Sequence, residues 1–351
     1  MTELSKLLTA TIAAAALMTS AAWSETIGPS GETATPSTEV TVSDETAAML
    51  REGGHTAALL WHDQSDFVNA VTTGATGEFE RLGIEVVATT SAGFDAAKQR
   101  SDIEIALARQ PDIILSLPLD PVTSAAAFEE AKKEGVALVF LSNLPQGYEH
   151  PADYAAVVTD DLFDMGKRAA DALAAAIGEE GTVGWIFHDA DYYVTNQRDN
   201  AFKTTIENDY ADIDIVAEHG ISDPARAEQI ANAMLLQNPD LSGIYVTWAG
   251  PAEGVLAALR ANDNETTKVV TLDLSEPVAL DMVNDGNVVA IVADEAYELG
   301  RAMAAAGARA LAGEETPPFV IAPALTVTAE SVEDGWMKSL RIEAPKSLRG
   351  N

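Results

Sequence analysis

The stretch LLWHDQSDF, residues 59–67, is an apolar run that ends in a His-Asp pair, followed by more polar residues and an aromatic ring. The stretch WIFHDADYY, residues 185–193, repeats this plan in the second half of the chain. An apolar run that stops at such a cluster is typical of a buried parallel strand that ends at a polar edge. Two copies of the plan predict two similar sheets, in each of which the first strand ends in a polar cluster.

The rest of the chain alternates in the same way. From His55 onward, short apolar runs alternate with amphipathic segments such as FVNAVTTGATGEFERLG and LFDMGKRAADALAAAIG, which we interpret as helices. Helix N-caps are predicted at Ser43, Asp66, Asp120, Asp223 and Ser275. Alternating strands and helices predict the α/β class, with doubly wound parallel sheets. The predicted strands are TAALLW, IEVVAT, DIILSL, VALVFL, AAVVT, TVGWIF, DIVAEH, GIYVTW, KVVTLD and VVAIVA.

Composition narrows the range of partners. The chain has 55 acidic and 21 basic side chains among 351 residues, a formal net charge of −34. Nucleic acids and anionic membranes select basic patches, so neither is expected as a partner. The absence of cysteine excludes disulfides, thiolate metal sites and cysteine nucleophiles. The length allows two domains, each with its own core.

The first 24 residues have the plan of a secretory signal peptide. Lys6 precedes an apolar run from Leu7 to Met18, and the small residues Ala22 and Ser24 predict cleavage before Glu25. The run is too short to span a bilayer. We therefore expect a mature protein that is soluble and periplasmic.

Residues 25–52 are predicted to form a flexible leader followed by a short helix. The part up to Ser43 is rich in Thr, Ser, Glu, Gly and Pro and shows no periodicity. The helix begins after Ser43 and is ended by Gly53 and Gly54.

Polar and aromatic residues follow the predicted strands where each strand ends. Ligands of open α/β sheets bind beyond the carboxyl ends of the strands, so these residues are the first candidates for a binding site. No strand is followed by G-x-G-x-x-G or G-x-x-x-x-G-K, which argues against dehydrogenases and kinases. The strand-end candidates are Trp61, His62, Asp63, Ser142, Asn143, His188, Asp189, Trp248, Asp273 and Asp294.

Metal and catalytic sites have weaker support. Two His-Asp pairs could form a mixed nitrogen and oxygen metal site, but the chain has five histidines and no tight ligand spacing, so local hydrogen bonding is favoured. No G-x-S-x-G motif indicates a nucleophile. Asp189, Asp191, Asp273 and Asp294 could provide the paired carboxylates of a glycoside hydrolase, although 55 acids are expected to cluster by chance. No cofactor, metal or enzymatic activity is predicted.

Sugar binding without chemistry accounts best for the mixture of side chains. Carboxylates and arginine make charge-assisted hydrogen bonds to hydroxyl groups, and aromatic rings cover C–H faces. Trp61, Phe67, Arg198 and Trp248, with the strand-end aspartates, provide this mixture.

Seven stretches, in order from about His55 to about Leu340, carry a family resemblance. They are AALLWHDQSDFVNAVTTGATGEFERLGIEVV, ARQPDIILSLPLDPVTSAAAFEEAKKEGVALVFLSN, VVTDDLFDMGKRAADAL, TNQRDNAF, NPDLSGIYVTWAGPAEGVLAALRA, KVVTLDLSEPVALDMVNDGNVVAIVAD and YELGRAMA. In this order the chain resembles the ribose-type periplasmic solute-binding proteins of ABC transporters, which have the class I Venus-flytrap fold. The resemblance implies a monomer that binds a sugar or polyol and delivers it to ABC permease subunits in the inner membrane.

The resemblance also implies a set of ligand contacts. Ribose binders have an Asp-Arg pair where this chain has Ser142 and Asn143, and commonly an Asn where it has Trp248. These departures argue against ribose and favour another sugar or a linear polyol. Two acids, Asp273 and Asp294, with one arginine suggest a polyhydroxyl ligand or one with some positive charge. His62, His188 and Asp189 could add contacts that ribose binders lack. The contacts carried over from the family are Trp61, Ser65, Phe67, Ser142, Asn143, Arg198, Trp248, Asp273 and Asp294.

The architecture implied is two lobes joined by three hinge crossings, near Asp160, Asp294 and Pro323. The N-terminal lobe would comprise 53–159 and 295–322, and the C-terminal lobe 160–294 and 323–342, leaving 343–351 as a tail. Hinge closure around the ligand is stabilised by contacts to both lobes. Two other functions remain open: a sensor that partners a chemoreceptor or kinase, and a hydrolase that uses the acid cluster.

Overall fold

The computed structural model describes residues 26–349. The predicted signal peptide, residues 1–24, and its cleavage point lie outside the described residues. Within residues 26–349, none of the helices combines the length and the apolar character that a membrane span requires.

The first lobe is built on a parallel sheet of seven strands. Helices cover both faces of this sheet. For that reason the central strand Thr56–Trp61 has no polar face, and Ala57, Ala58, Leu59 and Leu60 are all fully buried. In spatial order its strands are β1 (Thr35–Pro36), β12 (Phe319–Ala322), β6 (Ala156–Asp160), β5 (Ala137–Leu141), β4 (Ile113–Ser116), β2 (Thr56–Trp61) and β3 (Glu85–Ser91).

The second lobe contains a sheet of six strands, of which only β13 runs antiparallel to its neighbour. In spatial order the strands are β13 (Leu325–Val327), β11 (Val288–Ala293), β10 (Lys268–Leu272), β9 (Gly243–Val246), β7 (Gly181–His188) and β8 (Ile213–Ile221). Two lobes with parallel sheets confirm the predicted class I Venus-flytrap architecture.

All ten predicted strands are present, with ends shifted by a few residues. The three strands that sequence reasoning missed, β1, β12 and β13, are two, four and three residues long. β1 and β13 are too short for a hydrophobic period, and β12 lies between Pro318 and Pro323, which are typical of loops.

Helices connect the strands in both lobes. The first lobe contains α1 (Asp44–Gly53), α2 (Asp66–Leu82), α3 (Ala96–Leu107), α4 (Pro121–Lys133) and α10 (Ala296–Leu311). The second contains α5 (Leu162–Ile177), α6 (Tyr193–Asp209), α7 (Ala227–Gln237), α8 (Ala249–Ala261) and α9 (Glu276–Val283), and α11 (Val332–Leu340) follows β13. The chain crosses between the lobes after β6, after β11 and between β12 and β13.

Side-chain caps begin several of these helices. The predicted caps at Ser43, Asp120 and Ser275 are confirmed, because each side chain accepts a hydrogen bond from the backbone N–H three residues later. Asp223 caps a short 3₁₀ turn. The cap predicted at Asp66 is wrong by one residue: the Ser65 hydroxyl accepts from the Val68 N–H, and Asp66 is the first helical residue.

The segment before α1 is packed against the lobes, so the prediction of a flexible leader is wrong for residues 26–43. β1 pairs with β12, and Val40 is fully buried. The Thr26 hydroxyl donates to Asp161 Oδ1 at 2.6 Å, and the Phe163 N–H donates to Thr26 Oγ1 at 2.8 Å. The Thr- and Pro-rich composition conceals these contacts, because a few buried side chains at irregular spacing produce no period.

In each lobe, the helix after the first strand packs closely on the helix that follows a crossing. A β-carbon at Gly74 of α2 would lie 1.9 Å from the Tyr297 carbonyl oxygen of α10. A β-carbon at Gly166 of α5 would lie 2.1 Å from the Arg198 carbonyl oxygen of α6. Both helix pairs therefore require glycine where their backbones meet.

Candidate functional site

A buried ion pair occupies the carboxyl ends of the second lobe's strands. Arg198 of α6 is 5% exposed, and its guanidinium donates from Nη1 to Asp273 Oδ1 at 2.9 Å and from Nη2 to Oδ2 at 3.3 Å. Nη2 also donates to the Thr247 carbonyl oxygen at 3.0 Å. Burial lowers the pKa of Arg198, but the carboxylates of Asp273 and Asp294 outweigh burial and hold the pKa above its ordinary value. The pair has the bidentate geometry that fixes a guanidinium in place, with Asp273 still partly exposed.

Two of the predicted contacts adopt the same unusual backbone conformation, one in each lobe. Ser142 directly follows β5 with φ 59°, and Asp273 directly follows β10 with φ 66°. Few non-glycine residues occupy this left-handed region, and those that do are concentrated at ligand sites. Each N–H donates to the next strand, Ser142 to Val158 at 2.8 Å and Asp273 to Val292 at 3.0 Å. The chain therefore turns sharply at the equivalent strand end of both sheets.

Two carboxyl groups meet where the chain crosses between the lobes. Asp160 ends β6 and Asp294 follows β11, and the two side chains, 2% and 3% exposed, lie within hydrogen-bonding reach of each other. Burial raises the pKa of Asp160 to about 7, and burial together with the neighbouring Asp160 carboxylate raises the pKa of Asp294 well above its ordinary range. Asp294 was predicted as a ligand contact, whereas Asp160 was predicted only as a crossing.

His188 lies in a cluster of aromatic rings at the end of β7. Its Nδ1 is 2.8 Å from Thr195 Oγ1, and its ring meets the rings of Trp248 and Tyr192 edge-on, with centroids 5.0 and 5.4 Å away. Burial and then the charge of Arg198 lower the pKa of His188, so a neutral imidazole is expected near neutral pH. The two predicted contacts His188 and Trp248 are thus brought together.

Asp199 holds this cluster in place through its hydrogen bonds. Sequence reasoning did not identify Asp199. It accepts hydrogen bonds from the His188 backbone N–H at 2.8 Å, from the Tyr245 hydroxyl at 2.6 Å and from Thr247 Oγ1 at 3.0 Å. Burial raises the pKa of Asp199 to about 6. The available signal for a role in the site was its position directly after Arg198. An acidic residue beside an arginine on a helix is usually solvated, so this position did not indicate a buried group.

The first lobe contributes polar side chains at Ser142 and Asn143. The Asn143 amide nitrogen donates to the Pro118 carbonyl oxygen at 3.0 Å, and Oδ1 accepts from the Val194 N–H of the second lobe at 3.4 Å. Ser142 Oγ lies 2.9 Å from Thr159 Oγ1. Asn143 thus makes a polar contact between the lobes.

The opening loop after β2 has a different arrangement from the one expected. Trp61 is 2% exposed and packs in the apolar core, a placement that favours packing over the predicted stacking on a sugar. Ser65 caps α2, and Phe67 packs partly buried against the core. His62 meets Phe94 edge-on at 5.4 Å, and burial lowers the pKa of His62 to about 4.

Asp189 makes no contact with the Arg198 and Asp273 pair in the described residues. It is exposed and lines a cavity of about 340 Å³ together with Trp185, His188 and Asp199, so this cavity adjoins the His188 cluster. Within residues 26–349, no group of three or more His, Asp or Glu side chains is placed to hold a metal ion.

The fold and this site can be compared with known proteins. A family model described as periplasmic binding protein domain matches residues 57–315. The chain is a periplasmic binding protein. Among curated relatives, this periplasmic binding protein is 20% identical over 263 residues to the ABC transporter periplasmic-binding protein YphF of Escherichia coli, covering 73% of the chain and 80% of the relative.

Solved structures share the fold of this periplasmic binding protein. An ABC transporter solute-binding protein from Agrobacterium vitis, bound with α-D-tagatopyranose, is 20% identical with a TM-score of 0.74, covering 83% of this chain and 100% of that one. A carbohydrate transporter solute-binding protein from Agrobacterium radiobacter, in complex with D-arabinose, is 24% identical with a TM-score of 0.72, covering 82% and 98%.

Proposed function

We propose that this protein is the extracytoplasmic solute-binding component of an ABC importer, which binds a sugar or polyol between its lobes and delivers it to a membrane permease. The observation that carries the proposal is the bidentate Arg198–Asp273 pair at the strand ends of the second lobe, beside a histidine and a tryptophan. An immobilised guanidinium and carboxylate provide donors and acceptors at fixed positions, as a hydroxyl-rich ligand requires.

The proposed mechanism is hinge closure. The three crossings, near Asp160, Asp294 and Pro323, would act as the hinge between the lobes. The N-terminal lobe would comprise residues 53–159 and 295–322 together with β1 and α1, and the C-terminal lobe residues 160–294 and 323–342. A ligand that contacts Arg198 from one side and Asn143 from the other favours the closed form, because only that form makes both sets of contacts. The closed protein would then be recognised by the permease subunits.

The proposed ligand contacts combine charged, amide and ring groups from both lobes. Trp61 and Ser65 are given lower weight, since the first packs in the core and the second caps a helix. Asp189 is given lower weight because it is exposed and makes no hydrogen bond to the Arg198 and Asp273 pair. The proposed contacts are Phe67, Ser142, Asn143, His188, Arg198, Trp248, Asp273 and Asp294, with His62 at the edge.

The ligand class can be tested by binding to a defined panel. Structural neighbours were solved with tagatose, D-arabinose and myo-inositol, so these three compounds with ribose and linear polyols form the panel. We expect one-to-one binding without turnover, and a stabilisation of about 2.7 kcal/mol at a hundredfold excess over Kd. Absence of binding to every compound, or conversion of a bound glycoside, would contradict the proposal.

The hydrolase alternative would need two of Asp189, Asp191, Asp273 and Asp294 as its acid pair. Asp273 is held by the Arg198 guanidinium, and Asp189 and Asp191 line a cavity that Asp273 and Asp294 do not line, so the geometry supports binding better. A sensor role, as a partner of a chemoreceptor or kinase, would use the same closed form.

Export is proposed from the N-terminal segment. Cleavage before Glu25 would release a soluble periplasmic monomer. The mass of the mature protein recovered from a periplasmic fraction tests this, since it should correspond to a chain that begins at residue 25.

A further inference from the structure

The contact between Asp160 and Asp294 joins two of the three crossings. Asp160 is the last residue of β6, just before the chain enters α5 of the second lobe, and Asp294 follows β11, just before the chain returns in α10. Both side chains are almost completely buried. Two ionised carboxylates repel each other and cannot share a hydrogen bond, so one of the two groups must hold a proton.

The charged groups around the pair do not supply a counter-ion. Asp273 and Glu295 add negative charge, and Arg198 already donates to Asp273 and to the Thr247 carbonyl. Glu295 is itself paired with Lys338, at 2.8 Å between Oε1 and Nζ. Asp160 Oδ1 accepts no hydrogen bond from a conventional donor within residues 26–349. A proton shared with Asp294 is therefore what compensates the buried charge.

We propose that closure of the lobes takes up one proton at the Asp160–Asp294 pair, so that ligand binding weakens as the pH rises. This inference rests on the proposed function, since a bound ligand is what stabilises the closed lobes. The crossings are the segments that must bend when the lobes separate, and opening would hydrate carboxyl groups that closure buries. In water both groups ionise at ordinary pKa values, and the open form therefore binds fewer protons.

The sign of the effect follows from proton linkage. Burial raises the pKa of Asp160 to about 7 in the closed arrangement. The affinity should therefore fall by up to tenfold per pH unit as the pH rises from the ordinary carboxyl pKa of about 4 to about 7, and it should level off above about 7, where neither form holds the proton.

The experiment is calorimetric titration with D-arabinose, tagatose and myo-inositol at several pH values on both sides of 7, in buffers of different ionisation enthalpy. The expected result is uptake of up to one proton per ligand and a decline in affinity with pH. In Asp160→Asn the amide donates to Asp294 at every pH, so both effects should disappear. Asp294→Asn is the second variant, and Asp214→Asn, an exposed acid on β8, is the matched control that should keep the wild-type slope.

Thermal unfolding without ligand provides an independent measurement. A pair with a raised folded pKa stabilises the protein at low pH and loses that contribution as the pH rises through about 7. Wild type should therefore lose stability relative to Asp160→Asn as the pH rises from about 4 to about 7, and the two unfolding profiles should run parallel above that range. Sugar binding that is independent of pH or strengthens with it, with no proton uptake, overturns the inference but leaves the proposed function intact. If no compound binds, the proposed function fails, and parallel unfolding profiles of wild type and Asp160→Asn between about pH 4 and about pH 7 would overturn the inference as well.

Discussion

Gly166 of α5 lies directly against the backbone of Arg198 in α6, where a β-carbon would approach the Arg198 carbonyl oxygen to 2.1 Å. Gly166 therefore determines how closely α5 approaches α6, the helix that carries Arg198. The position of the Arg198 guanidinium thus depends on Gly166, which contacts the Arg198 backbone and not the guanidinium itself.

Gly166→Ala should displace α6 and weaken sugar binding. Overpacking of this kind costs about 1–3 kcal/mol of stability, and the shift also moves Arg198 relative to Asp273. Gly74→Ala, at the equivalent helix contact of the first lobe, should lose comparable stability while the affinity changes less. Thermal unfolding measures the stability of both variants, and calorimetric titration measures their affinity for the sugar. Equal effects of the two variants on affinity would show that the α5–α6 contact does not position the arginine.

Arg198→Lys should reduce affinity for the best-binding sugar of the panel while the protein still folds. Lysine keeps the charge but loses the fork that donates to Asp273 and to Thr247, and a hydrogen bond to a charged group contributes about 1.5–3 kcal/mol. Calorimetry at constant pH measures the loss. Arg168→Lys is the control, because Arg168 pairs with Asp164 on the surface of α5. Unchanged affinity in Arg198→Lys would remove this residue from the proposed site.

Asn143→Ala should weaken closure more than folding. The variant removes the acceptor of the Val194 N–H, a neutral hydrogen bond between the lobes that contributes about 0.5–1.5 kcal/mol. The dissociation rate of the bound sugar should rise, which stopped-flow fluorescence can follow. Asn232→Ala, which removes a hydrogen bond to Asn262 within the second lobe, should leave the rate unchanged. A wild-type dissociation rate in Asn143→Ala would contradict a closing role.

His62→Gln should make the protein more resistant to acid. Burial lowers the pKa of His62 to about 4, so the folded state resists protonation that the unfolded state accepts at its ordinary pKa of 6.5. Wild type therefore loses stability as the pH falls from about 6.5 towards 4, and a side chain that does not titrate removes this loss. Urea unfolding across this range, with His219→Gln on β8 as the control, measures the difference. An identical acid profile in wild type and His62→Gln would show that His62 is readily protonated in the fold.

Most of the architecture could be predicted from local patterns. Runs such as VALVFL and VVAIVA are buried on both faces, so their apolar character is continuous and visible in the chain. The strand β12 was hidden by the prolines on both sides of it, and the strands β1 and β13 were not visible, because two or three residues carry no period. The packed leader was missed for the same reason, since Val40 and Thr26 are isolated contacts in a polar segment.

The sequence by itself determined the α/β class, the two lobes and the strand ends at which polar residues gather, because periodicity and chain order are local properties. The tertiary structure alone decided which of those residues meet. Arg198 and Asp273 form an ion pair although 75 positions separate them in the sequence. Asp160 meets Asp294 only because the two crossings that carry them lie next to each other. Burial and the shared proton follow from this proximity, since a carboxyl pKa depends on the groups that surround it in space.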